Sequence, residues 1–349
     1  MYKRELSLDN VFLCLLVIYI HVMSNCVSHL PKESPLYYPV FISWRLTAFV
    51  VPGFLFLSAL RTMYWYRNQP MDYGSYYRSR VTRILLPYAV VACLYYALFV
   101  RLGWFPFSWK DLGLYILHGD IAAPFYFIII ILQLYILMPL WRRMADRVPP
   151  GAGMAAALIL TLLYRWFGAV PYGQTAMTGV IYPDNLFLKY LVYWVAGCYA
   201  GKYYEAFSAL LAKYRKIWIA VYLVCAAADA VWSVLSYGSN RIPGLETFHM
   251  VYCVAAILCL CSVCQWIAGR GWNQRRLVSE IDAASFEIYL IHSPILDILL
   301  LVYLEPHGIT GPLKQLPVLA VGVYVLSILT GMVWTRAKRG LRALHAEKQ

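Results

Sequence analysis

The stretch NVFLCLLVIYIHVMSNCVSHL, residues 10–30, contains no Asp, Glu, Lys or Arg. Crossing the hydrocarbon core of a bilayer takes about 20 helical residues at a rise of about 1.5 Å each, and this run has that length. Comparable uncharged runs lie near 41–61, 84–103, 122–141, 153–171, 185–204, 217–237, 248–268, 284–304 and 315–335, separated by Gly, Pro or charge clusters. They predict an all-α, polytopic membrane protein of about ten transmembrane helices. We find no repeat, low-complexity stretch or soluble module, so residues 1–349 are expected to form one transmembrane domain.

Composition agrees: 62% of the residues are hydrophobic, 13% are charged, and the mean hydropathy is +0.60. A soluble domain carries roughly 25% charged residues. The net charge of +13 would suit nucleic acid if it formed a stripe, but it does not. With the amino terminus placed in the cytoplasm, all 30 Lys and Arg but eight fall in both tails and the even-numbered connections. The exceptions are Lys32, Arg101, Lys110, Lys189, Arg241 and Lys314 on the other side, and Arg45 and Arg165 within spans. That asymmetry is the positive-inside pattern, so both termini are expected to be cytoplasmic and no nucleic-acid partner is expected. The first apolar run is too long for a cleaved signal peptide and lacks a small-residue cleavage site, so it should remain as a helix.

Nine cysteines lie within spans, and Cys259, Cys261 and Cys264 invite a metal reading. The segment offers no His or carboxylate nearby, so membrane-helix packing is the expectation and no metal is assigned. Ionisable groups at membrane depth are costly, and those present tend to face cavities. Here they are His21, Arg45, Arg165, Asp229, Glu287, His292 and Asp297. For Arg165 and Glu287, near span ends, an interhelical bond or a snorkelling head group is the expected role. Taking Asn10 as the entry of the first helix, His21 lies roughly 16 Å deep; counting from Ser285, Asp297 lies about 18 Å along the ninth. Asp297 is therefore the expected carboxylate partner of His21, with His292 and Asp229 as alternatives. Arg45, in the outer quarter of its span, is expected to face an arriving anionic or polar ligand.

Several motifs in order carry a resemblance. Arg4-Glu5-Leu6-Ser7-Leu8 leads into the helix of His21, and Val50-Val51-Pro52-Gly53-Phe54-Leu55-Phe56-Leu57-Ser58 occupies the second span. The basic segment Tyr77-Arg78-Ser79-Arg80-Val81-Thr82-Arg83 follows, then Phe125-Tyr126-Phe127 with Gln133-Leu134-Tyr135, and Ser285-Phe286-Glu287-Ile288-Tyr289-Leu290-Ile291-His292. Over nearly its whole length the chain resembles the acyltransferase-3 family of bacterial membrane acyltransferases, especially the subgroup acting on biofilm and intercellular-adhesion polysaccharides. The resemblance implies transfer of an acetyl or succinyl group from cytoplasmic acyl-CoA, a co-substrate rather than a bound cofactor, to a hydroxyl of an envelope glycan or lipid-linked sugar at the cell membrane.

The implied catalytic residue is His21, as general base or acyl carrier, oriented by Asp297. Arg80 and Arg83 are expected to bind the phosphates of the donor from one helix face. Arg45, Tyr126, Gln133 and His292 are expected on the acceptor side. Two positions depart from the pattern. Family members usually carry Arg or Lys eleven residues before the histidine, where this chain has Asn10, and Glu287 stands where a small residue is expected. Asn10 is nevertheless the expected donor-side position. A non-enzymatic exporter or flippase of such a glycan is the rival function, and an inactive fold kept as a partner or sensor is a third.

Overall fold

The computed structural model describes residues 4–168, 185–236, 244–271 and 276–346. They form fifteen α-helices joined by short 3-10 and π-helical turns, with no strand among the described residues. Among the described residues, eight helical stretches are long and apolar enough to cross a membrane: 5–29, 37–66, 73–101, 150–167, 215–236, 245–268, 276–304 and 312–340. A ninth crossing is formed if Trp109–His118 and Ala123–Ile136, bent by 56°, act as one.

The expected fourth and sixth spans depart from single long helices. The run 122–141 breaks at Leu137, and Pro139 opens a separate helix there. The run 185–204 is a 3-10 turn, Phe187–Tyr190, followed by a 12-residue helix, Leu191–Lys202. Ten of that helix's twelve residues are buried, so its apolar sequence serves protein packing as well as the bilayer.

Two compact units partition the chain, Met1–Gly53 with Ser208–Gln349, and Phe54–Phe207. The first contains α1 (Arg4–His29), α2 (Tyr37–Thr47), the start of α3 (Val50–Tyr66), α12 (Arg215–Ser236), α13 (Leu245–Ala268), α14 (Arg276–Asp297) and α15 (Pro312–Ala346). Here α14 packs on α15 and α1, while α12 packs on α13 and α2. The second contains most of α3, then α4 (Tyr73–Arg80), α5 (Leu86–Arg101), α6 (Trp109–His118), α7 (Tyr126–Ile136), α8 (Met138–Arg147), α9 (Pro150–Leu163) and α10 (Leu191–Lys202). The boundary within α11 (Tyr204–Lys213) separates the two units.

Helices α12 and α15 of the first unit turn continuous apolar stripes outward and bury a few polar side chains among apolar ones, unlike the surface helices of a soluble bundle. On α12 the exposed stripe is Ile217, Val221, Val224, Val231 and Leu235, whereas Ala226, Asp229 and Ser233 are buried. On α15 the exposed stripe is Val318, Val321, Val325, Leu329 and Val333, and the buried one includes Gln315, Leu319, Val323 and Ser327. Lipid is the solvent that such faces require. This is a multi-pass membrane protein.

Close helix contact relies on glycine. In the second unit, Gly197 and Gly201 of α10 press on the carbonyls of Phe56 and Leu60 in α3, a small-residue spacing of four that admits backbone to backbone. In the first unit, Gly331 of α15 lies against the side chain and backbone nitrogen of Ile288 in α14.

Glu287, buried on α14, is neutralised by Lys338 of α15 at 2.6 Å. Breaking a buried pair leaves one charge uncompensated and costs about 3–5 kcal/mol. Because Lys338 is partly exposed, Lys338→Met is expected near the lower end of that range. Adding Glu287→Gln should recover most of the loss, read as melting temperature in detergent.

Candidate active site

The parallel seam between α1 and α14 builds the central site of the first unit. Asn10, Cys14 and His21 lie on one face of α1, since four residues make about one turn and eleven about three. Asp282, Ser285, Tyr289 and His292 recur on one face of α14 at spacings of three and four. At one end, Asn10 Nδ2 donates to Asp282 Oδ1 and to Ser285 Oγ, each at 2.7 Å. Ser285 Oγ in turn donates to the carbonyl of Asp282 at 2.9 Å.

Farther along, the His21 and His292 rings face each other with centroids 5.0 Å apart and planes tilted by 47°. His292 is fully buried and His21 half-buried. The Nδ1 of His292 lies 2.7 Å from the carbonyl oxygen of Tyr289. A carbonyl only accepts, so Nδ1 carries the proton and Nε2 presents a lone pair. That Nε2 is buried and has no hydrogen-bond partner. Pro294, one turn before the end of α14, interrupts the backbone ladder just beyond this point.

Asp297 is not brought against His21: no hydrogen bond or ion pair joins them among the described residues. Five residues beyond His292, it is rotated by about 140° and displaced by about 7.5 Å along the helix. The expected depth match took Ser285 as the start of the ninth helix, but α14 starts at Arg276 and Asn10 is level with Asp282. Counted from there, His292 is the α14 side chain at the depth of His21.

The donor-side arginines lie in the second unit. Asp72 caps α4 by accepting from the backbone N–H groups of Gly74 at 3.1 Å and Ser75 at 3.3 Å. Hydrogen bonds from Ser75, side chain and backbone, and from Gly74 hold its carboxyl below the usual range. Stability from this cap is present above the unfolded carboxyl pKa and is lost as pH falls through the lowered folded value. At the other end of α4, the Arg80 guanidinium sits 4.6 Å from the Tyr76 ring centroid and 4.5 Å from that of Tyr135. The two rings stand edge to face at 82°, and both attract the guanidinium by cation–π contact. A π-helical turn, Val81–Leu85, follows, so Arg80 and Arg83 do not stack as they would in an α-helix, and Arg83 is exposed.

The acceptor-side expectations are scattered. Tyr126 is half-buried at the start of α7. Gln133 uses both ends of its amide internally, donating to the carbonyl of Asn185 at 2.9 Å and accepting from Phe187 N at 3.2 Å. In the first unit, Arg45 is held by Asp229 at 3.4 Å and Glu246 at 3.0 Å. Asp229 also receives His249 Nδ1 at 3.0 and 3.1 Å from its two oxygens. His249 and Asp282 were not singled out from sequence. The former falls at a span end and the latter just before one, where polar residues are ordinary.

A family model described as an acyltransferase domain, that of the acyltransferase-3 family, matches residues 10–336. The chain belongs to the acyltransferase-3 family. It is 25% identical over 302 residues to the putative membrane-bound acyltransferase YfiQ of Bacillus subtilis, covering 83% of this chain and 80% of that protein. It is also 25% identical over 307 residues to the probable poly-beta-1,6-N-acetyl-D-glucosamine export protein of Staphylococcus aureus strain MRSA252, covering 84% and 83%. No solved structure matches.

Both departures from the acyltransferase-3 pattern have local counterparts. Asn10 points its amide at Asp282, the carboxylate that a basic residue there would meet. The carboxylate of Glu287 has Lys338.

Proposed function

We propose that this acyltransferase-3 protein is an O-acyltransferase moving an acetyl or succinyl group from cytoplasmic acyl-CoA to a hydroxyl of an envelope polysaccharide or glycolipid. It would act in the cell membrane with both termini in the cytoplasm, the side on which basic residues accumulate. The observation that carries the reading is the His21–His292 pair, two imidazoles 5.0 Å apart in a membrane helix seam. Two imidazoles joined by an N–H···N bond of about 2.9 Å have centroids roughly 5 Å apart. A small ring adjustment lets His21 donate one N–H to the unpartnered Nε2 of His292, which sets the tautomer of His21 and leaves its second nitrogen as base.

In that role His21 takes the proton of the acceptor hydroxyl as its oxygen attacks the thioester carbonyl. The new C–O bond forms, the C–S bond breaks, and the thiolate of coenzyme A leaves and recovers the proton from His21. His292 acts as a positioning residue, the part first expected of Asp297. Arg80, held near the rings of Tyr76 and Tyr135, and the exposed Arg83 would meet donor phosphates from separate directions.

Replacing Arg80 and Arg83 together by Ala is expected to raise the KM for acyl-CoA about tenfold or more, with little change in acceptor KM. Steady-state kinetics with each substrate varied checks this, and an unchanged donor KM returns the two arginines to a topological role. The reading as a whole is tested by the mass of the envelope glycan from cells with and without the gene. Loss of an acyl-sized increment is expected. The Staphylococcus aureus relative is named as an export protein, and an exporter would instead leave the glycan's mass unchanged while altering how much reaches the surface.

A further inference from the structure

A second polar centre of the first unit lies where α2, α12 and α13 meet. It is placed toward the α12 end remote from Arg215, Asp229 being about 21 Å along that helix. Asp229 is wholly buried, and it is shared between Arg45 and the Nδ1 of His249. One turn on, Ser233 is buried on the same face of α12. Tyr252, one turn beyond His249, ties α13 to α2 by donating its hydroxyl to the carbonyl of Leu46. Glu246, ion-paired to Arg45, has 64% of its side chain exposed and marks the open side.

A purely structural polar cluster closes its own hydrogen bonds. This one does not. The Nη2 of Arg45 and the Oγ of Ser233 are both buried and both lack a partner. His249 commits its Nδ1 to Asp229, whose carboxylate only accepts, so in its neutral form the ring presents a lone pair at Nε2. The open valences are thus a donor, a hydroxyl that serves as either, and an acceptor. An anion is disfavoured, because the charge of Arg45 is already offset by Asp229 and Glu246. Neutral, adjacent hydroxyl groups present the complementary alternation.

Resting on the acceptor reading above, we infer that Arg45, Ser233 and His249 form a saccharide-binding subsite for the acceptor glycan, with Asp229 fixing the orientation of Arg45 and His249. It is separate from the His21–His292 seam and binds sugar hydroxyls without taking part in the transfer.

The test uses the full-length protein in lipid nanodiscs and a β-1,6-linked N-acetylglucosamine pentasaccharide as probe, with binding read by calorimetry. The parent protein is expected to bind it, Ser233→Ala to weaken binding about fivefold, and His249→Gln more than tenfold, since each removes one buried hydrogen-bonding partner. Acetyl-CoA binding, measured in parallel, should be unchanged and shows that the variants are folded. Because Ser233→Ala removes a single oxygen, it decides the matter if His249→Gln does not fold. A parent protein that binds no saccharide, or a Ser233→Ala variant with parental affinity, overturns the subsite. Saccharide binding that is weakened in the variants while the parent transfers no acetyl or succinyl group would sink the acyltransferase reading and leave this site standing.

Discussion

His21→Ala is expected to insert and fold as the parent does and to lose acyl transfer by about 10²–10⁴-fold, the usual contribution of a positioned general base. Truncation deletes a half-buried imidazole facing one other ring, so packing losses at that point are modest. The measurement is transfer of radiolabelled acyl groups from acyl-CoA to membrane glycan, beside the melting temperature of the purified variant. His292→Phe keeps ring volume and removes the acceptor at Nε2, and should lower kcat while leaving both KM values near parental. Parental transfer by the His21→Ala protein at parental melting temperature would end the mechanism.

The second large effect concerns folding. Gly197→Val with Gly201→Val is expected to prevent stable assembly of the second unit. An added side chain at either position meets the helical backbone of α3 at Phe56 or Leu60, which cannot rotate away as a side chain does. Overpacking of a core costs about 1–3 kcal/mol, and rigid neighbours put each of these at or above the upper end. Total stabilities run to about 5–15 kcal/mol, so the pair removes a large share. Loss of monodisperse protein on size exclusion, with the outward-facing control Leu158→Ala unaffected, is the expected outcome. A double variant that purifies and melts like the parent would show that α3 and α10 are separated enough to admit side chains.

Helices were easy to read from this sequence because lipid imposes the same demand on every crossing: a long run without charge. The failures came where burial in protein imitates burial in lipid. The helix Leu191–Lys202 is as apolar as a span, yet its residues are enclosed, and Leu137 divides a run whose hydropathy is continuous. His21 was legible as a polar group where such groups are rare. Its neighbour His292 was legible only as an alternative partner, because the depth of Asp297 was counted from a motif rather than from the start of α14 at Arg276. His249 escaped for another reason. The contacts joining Arg45, Asp229 and His249 run between segments roughly 20 to 200 residues apart, and no local periodicity carries such information.

The wide turn Val81–Leu85 has an evolutionary reading as well as a geometric one. A π-turn accommodates one residue more than the α-helix around it requires, so it behaves as an insertion absorbed without breaking the rod. A homologous chain lacking that single residue would continue as regular helix, and everything before the gap would swing by about 100° relative to Pro87. Arg80 would then leave the ring of Tyr135. When sequences are aligned across this family, a one-residue gap between 80 and 86 therefore changes which arginine counts as equivalent. Matching them by letter alone would pair side chains that point in different directions.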